Sequence, residues 1–226
     1  MKSQWIIHAA HPNLILFFNG WGMDRHIVSH LDADADTDVL MVYDYGKLTF
    51  ADGAWPGLSA YQRVDVLAWS MGVWAYATVH KQFAGQIRKA VALNGTPLPI
   101  DNEYGIPERV YAATVQQFSE RSREKFFRRM CGTPETVRWF RSHQPQRTLE
   151  EQREELLAIK RAARQRQHST PPFTCALIGR RDKIIPAQHQ LNYWQGTLQY
   201  TMIDSPHCAF RRWAGWKEIF DDVATD

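Results

Sequence analysis

Several short runs in this chain are apolar almost from end to end, and they constrain its fold more than any other feature. Leu14 to Phe18 (LILFF), Val39 to Val42 (VLMV), Val64 to Trp69 (VDVLAW) and Ala90 to Leu93 (AVAL) are each too short for a helix. A strand with one wet face alternates apolar and polar residues. A run without alternation is buried on both faces, as in a parallel sheet covered by helices. The first run closes on Asn19-Gly20 and the fourth on Asn94-Gly95, pairs that favour turns. Val73 to Phe83 has the length and alanine content of a helix. Strands resume at Phe173 to Ile178, ending at Gly179, and at Gln199 to Ile203. Trp213 to Val223 then reads as a closing helix. The predicted fold class is α/β, a mostly parallel central sheet flanked by helices.

No convincing strand lies between about Ile106 and Gln167. Helices are predicted over Glu108–Phe118, Arg123–Met130 (closed by Gly132), Glu135–Ser142 (after Pro134) and Leu149–Arg164. This implies a core of residues 1–104 and 171–226, with 105–170 as a helical cap over the carboxyl ends of the strands, where such sheets place their sites. The 226 residues can bury a sizeable core without disulfides. Three widely spaced cysteines, Cys131, Cys175 and Cys208, argue against a disulfide framework or a zinc site. No signal peptide or membrane span is legible, so a cytoplasmic monomer without metal or cofactor is expected.

Ala68-Trp69-Ser70-Met71-Gly72 joins the third apolar run to the helix that follows it. An exposed nucleophile at a sharp strand-to-helix turn needs small neighbours. Gly72 meets that need, and Ala68 replaces the usual first glycine of the elbow seen in α/β-hydrolases. A serine also needs a base, and the base needs a carboxylate to orient it. The chain order for this architecture is Ser, acid, His. Asp182 follows the strand ending at Gly179, and His207 follows the last strand. Asp204 is the alternative acid, with Asp182 then an ordinary turn residue. His143, His168 and His189 read as surface residues, and His8 and His11 as turn residues before the first core strand. Two backbone N–H groups are needed for an oxyanion. Met71 follows the nucleophile, and Trp21 lies in the Asn19-Gly20-Trp21-Gly22 loop after an early strand. The competing reading of that loop is a plain turn with a core tryptophan.

Charge is uneven along the chain. From Arg121 to Arg166 there are thirteen Lys and Arg against six Asp and Glu, a net of +7. The remainder, at −4, restores the overall +3. A basic cap fits an acidic partner. The candidates are Arg121, Arg123, Arg128, Arg129, Arg138 and Arg141, with Lys160, Arg161 and Arg164 in the next helix. The alternative is a solvated helical face whose arginine stems cover apolar surface. Nucleic acid is not expected, since no binding motif accompanies the charge.

The segments FFNGWGM (17–23), DY (44–45), AWSMG (68–72), GRRD (179–182) and PHCAF (206–210) together resemble the BioG-type pimeloyl-acyl carrier protein methyl ester esterases of biotin synthesis. The resemblance spans nearly the whole chain. It implies a serine carboxylesterase acting on the methyl ester of a pimeloyl chain held on acyl carrier protein. Ser70, Asp182 and His207 would form the triad, Trp21 and Met71 would be the oxyanion donors, and the acidic carrier would be the partner. A thioesterase or broader carboxylesterase with the same triad is the alternative enzyme. A carrier-binding adaptor without catalysis is the alternative of another class.

Overall fold

The chain is described from a computed structural model, which covers residues 1–32, 34–49, 57–83, 86–163 and 172–223. Among these residues, seven strands form one sheet in the order β1-β3-β2-β4-β5-β6-β7. The strands are β1 (Lys2–Ile7), β2 (Asn13–Phe18), β3 (Thr37–Tyr43), β4 (Arg63–Trp69), β5 (Ile87–Leu93), β6 (Cys175–Gly179) and β7 (Gln199–Ile203). All neighbours run parallel except β1, which lies antiparallel on β3 at one edge. This is the predicted α/β class.

The apolar runs behave as their composition requires. Every residue of β2 is buried, and adjacent side chains enter opposite faces. Phe18 packs on Tyr76 of helix α1 (Met71–Val79), at 5.2 Å between ring centroids. Phe17 packs on Trp216 of α7 (Trp216–Asp221), at 5.4 Å. Two consecutive phenylalanines thus bind helices on the two faces of the sheet and define three layers. Phe173, which meets Tyr76, also meets Trp194 of α6 (Ala187–Trp194), so α6 shares the α1 face.

Among the described residues, four helices separate β5 from β6: α2 (Glu108–Gln116), α3 (Glu120–Cys131), α4 (Pro134–Arg141) and α5 (Leu149–Ala162). Their ends are chemically marked. Ser119 and Thr148 form capping boxes with Ser122 and Glu151. Pro134 occupies the first turn of α4, and Gly132 ends α3 at a φ of 73°. Arg164 and His168 lie outside the described residues.

Some expectations need correction. The edge strand β1 was not anticipated, because KSQWII is half-exposed and carries only a weak alternation. The closing helix is only Trp216–Asp221; Phe210–Arg212 forms a separate 3₁₀ turn upstream. The helix after Ser70 stops at Val79 and tightens to a 3₁₀ turn over His80–Phe83. His143 and His189 are half-buried rather than free on the surface. The His143 ring stacks on Trp139 at 4.3 Å, and His189 bonds the Gly105 carbonyl at 2.8 Å.

Candidate active site

The strand order turns back between β2 and β4, and their carboxyl ends lie side by side with Phe18 opposite Ala68. Crevices of open α/β sheets form at such a point. The Gly20–Trp21 loop leaves one strand there and Ser70 leaves the other. Ser70 has φ 57° and ψ −120°, a strained conformation for a residue with a side chain. The strain is held by packing. A Cβ on Gly72 would lie 2.1 Å from the Phe18 carbonyl oxygen, and one on Gly95 would lie 2.6 Å from the Ser70 carbonyl oxygen. Ala68 is fully buried in β4 opposite Ala92, so the elbow accepts its methyl group in place of the usual hydrogen.

Ser70 Oγ lies 2.9 Å from His207 Nε2, and His207 Nδ1 lies 2.7 Å from Asp182 Oδ2. An ionised carboxylate only accepts hydrogen bonds. Nδ1 therefore carries the proton, and Nε2 presents a lone pair to the serine. Asp182 is well anchored. Its Oδ1 accepts from the amides of Ile184 (2.8 Å) and Ile185 (3.1 Å), and its Oδ2 also accepts from Gln190 Nε2 (2.9 Å). Asp204, the alternative acid, is three-quarters exposed and pairs with Arg181. The geometry brings Ser70, Asp182 and His207 together and leaves Asp204 outside.

Asn94 and Gln190 were not anticipated. Asn94 is the first residue after β5 and has a φ of 48°. Its Nδ2 donates to the carbonyls of Pro206 (3.1 Å) and His207 (2.9 Å), and its Oδ1 accepts from Gly179 N (2.6 Å). Trp69 Nε1 donates to the same His207 carbonyl at 3.0 Å. Asn94 was read only as half of a turn-forming pair, which hides its role as a tie between loops.

Met71 is the first residue of α1, so its N–H has no acceptor within the helix. Trp21 sits beside it in the β2 loop. Its ring meets Phe118 and Phe126 edge-on and helps to line a cavity of about 500 Å³ above Ser70. Met130, Ile184 and Leu156 add to the apolar wall, while Arg109, Lys125 and Arg129 contribute cations. Arg109 and Lys125 were not among the predicted basic residues, whereas Arg129 was. Arg128 and Arg141 pair with Glu124, and Arg138 pairs with Glu135. Arg121 is exposed, and Arg123 reaches Gln152 Oε1 at 3.4 Å. Lys160 and Arg161 border other cavities.

Helix α5 is bound into the core. Glu155, about 1% exposed, accepts from Gly22 N at 3.1 Å and Tyr45 N at 2.9 Å, and it pairs with Arg147. Burial pushes the Glu155 carboxyl upward, opposed by Arg147 and the Tyr45 amide. Among the described residues, no group of three or more His, Cys, Asp or Glu is arranged to hold a metal ion, and no helix is long and apolar enough to cross a membrane.

The sheet order, the strained serine and the loops that converge on it define an α/β-hydrolase. A lipase-esterase related protein from Clostridium acetobutylicum shares this fold over 98% of the chain and 99% of its own, with a TM-score of 0.65 at 12% identity. The chain belongs to the pimeloyl-ACP methyl esterase BioG family, whose model matches residues 1–219. The crystal structure of BioG from Haemophilus influenzae superposes with a TM-score of 0.90 at 32% identity, covering 98% of this chain and 100% of that one. An uncharacterized Haemophilus influenzae protein is 33% identical over 222 residues, 98% of this chain and 100% of that protein. A malonyl-[acyl-carrier protein] O-methyltransferase from Bacteroides fragilis is 39% identical over 181 residues, 80% of this chain. This chain spans only 36% of that longer protein.

Proposed function

We propose that this chain hydrolyses the methyl ester of a pimeloyl chain carried on acyl carrier protein, with Ser70 as nucleophile. The observation that carries the proposal is the run of contacts Ser70–His207–Asp182, at 2.9 and 2.7 Å, whose Ser70 and His207 line the apolar cavity. Ser70 Oγ attacks the ester carbonyl carbon as its proton passes to His207 Nε2. Asp182 holds the ring and stabilises the imidazolium. The developing oxyanion accepts from the N–H groups of Trp21 and Met71. Collapse of the tetrahedral intermediate expels the methoxy oxygen, which leaves as methanol with the proton from Nε2. Water, deprotonated by the same nitrogen, attacks the acyl-enzyme and frees the carboxylate together with Ser70. No cofactor enters any of these steps.

Family membership supports the substrate, as does the pairing of an apolar cavity with cations at its wall. Arg109, Lys125 and Arg129 suit the anionic linkage to an acidic carrier, and the exposed Arg121 and half-buried Arg123 extend the same charge. The Bacteroides relative is named for O-methylation of a malonyl group on acyl carrier protein, which makes a methyl ester of the kind this reaction removes. Ser70→Ala should abolish release of methanol from carrier-linked methyl pimelate while leaving the fold intact. Retained turnover would refute the nucleophile. Faster cleavage of the carrier thioester than of the methyl ester would make the enzyme a thioesterase instead.

A further inference from the structure

Helix α5 presents Gln152 and Glu155, three residues apart and on one face, to the loop after β2. Three bonds cross between them at Trp21 and Gly22. Trp21 Nε1 donates to the Gln152 carbonyl at 2.8 Å, Gln152 Nε2 donates to the Gly22 carbonyl at 2.9 Å, and Gly22 N donates to Glu155 Oε2 at 3.1 Å. Gly22 sits at a φ of 71°, and a Cβ there would meet the Gln152 amide at 3.3 Å, so the fit is close as well as bonded. Glu155 then joins this loop to the next one through Tyr45 N. Tyr45 returns the link by donating its hydroxyl to the Asn19 carbonyl at 2.6 Å.

We infer that Glu155 and Gln152 are positioning residues that aim the Trp21 N–H at the oxyanion, so that the insertion between β5 and β6 completes the catalytic centre in the core. The inference rests on the esterase reading above. The Glu155 contacts explain why a charge is kept here. Its partners are two amide N–H groups and a guanidinium, all donors, and only an ionised carboxylate offers acceptors to all of them. A glutamine of the same shape would turn an NH₂ toward a donor at one of its two ends. The loop would shift by a fraction of an ångström, enough to spoil an oxyanion contact without closing the substrate cavity.

The test uses the full chain, a small activated ester and a trifluoromethyl ketone, which forms a tetrahedral oxyanion adduct with a reactive serine. Glu155→Gln should lower kcat by about 10- to 100-fold, part of what losing an oxyanion donor costs. KM should stay within about twofold, and the ketone inhibition constant should rise by the same factor as kcat falls, as transition-state complementarity requires. A thermal midpoint that drops while kcat and the ketone constant stay unchanged would make Glu155 merely structural and overturn the inference. The double variant Arg147→Met, Glu155→Gln removes the buried charge pair together and guards against a single variant that fails to fold. It should fold and stay slow. Recovery of wild-type kcat would mean that Glu155 serves only as the counter-ion of Arg147. If the unaltered chain neither cleaves the ester nor binds the ketone, the esterase reading itself fails, and this inference with it.

Discussion

Replacing Asp182 with Asn changes one oxygen to an NH₂ and leaves the shape of the side chain alone. The surrounding contacts determine where that NH₂ can go. One carboxylate oxygen faces the Ile184 and Ile185 amides at 2.8 and 3.1 Å. The other faces His207 Nδ1 at 2.7 Å and Gln190 Nε2 at 2.9 Å. Backbone donors cannot turn away, whereas an imidazole can change its tautomer. The NH₂ therefore points toward His207, and Nδ1 becomes an acceptor. The ring proton moves to Nε2, where it faces Ser70 Oγ at 2.9 Å and can no longer receive the serine proton. Loss of the correct tautomer in a triad of this kind costs about 10⁴ in kcat. That corresponds to about 5.4 kcal/mol of barrier. Steady-state hydrolysis of a p-nitrophenyl ester measures the loss, with Asp204→Asn as the control expected to retain full activity. A fall of less than tenfold for Asp182→Asn, or an equal fall for Asp204→Asn, would refute the assignment of acid and tautomer together.

Ala68→Gly, which restores the usual elbow residue, should cost about 1 kcal/mol in urea unfolding, from lost methyl burial and greater chain entropy; its kcat should stay within threefold. Gly72→Ala should fail to accumulate as folded protein, since the new methyl would meet a backbone oxygen at 2.1 Å; circular dichroism of the purified chain checks this. Arg121→Glu should raise KM for the carrier-linked substrate and leave KM for a small ester unchanged, and equal changes in both would count against carrier docking at this face. His30 packs against Trp139 and His143, and burial holds its pKa below 6.5. The unfolded chain takes up that proton first, so stability should fall as pH drops below 6.5; the fall should be smaller in His30→Asn, by chemical denaturation at pH 7.5 and 5.5.

The sheet was legible because β2 is apolar from Leu14 on and β3, β4 and β5 each carry a short apolar stretch without alternation that is buried on both faces. β1 escaped notice because an antiparallel edge strand needs no such run. The Ser, Asp and His positions were legible because each follows a recognisable strand at its carboxyl end. Gln190 and Glu155 were not. Each lies on a helix whose own sequence gives no reason to single it out. Their roles depend on which loop the helix faces, and that is decided by packing across more than a hundred residues for Glu155 and Gly22. The excess of basic residues between β5 and β6 was visible as a count of charges. Which arginines are neutralised by a neighbouring glutamate, as Arg128 and Arg138 are, depends on side-chain direction along the helices.

Asn94 gives the active centre a dependence on assembly order. Its side chain ties the end of β6, from which the Asp182 segment leaves, to the loop that holds His207, and both come from the last quarter of the chain. Ser70 lies 137 residues before His207, which it contacts. A chain that has formed β2, β4 and α1 already displays a strained serine but has nothing to activate it. On the proposed mechanism, ester turnover should begin only when β6 and β7 have closed on β5 and Asn94 has drawn the two late loops into register. In a refolding experiment, the return of activity should therefore follow the final docking of the C-terminal strands rather than the first appearance of secondary structure.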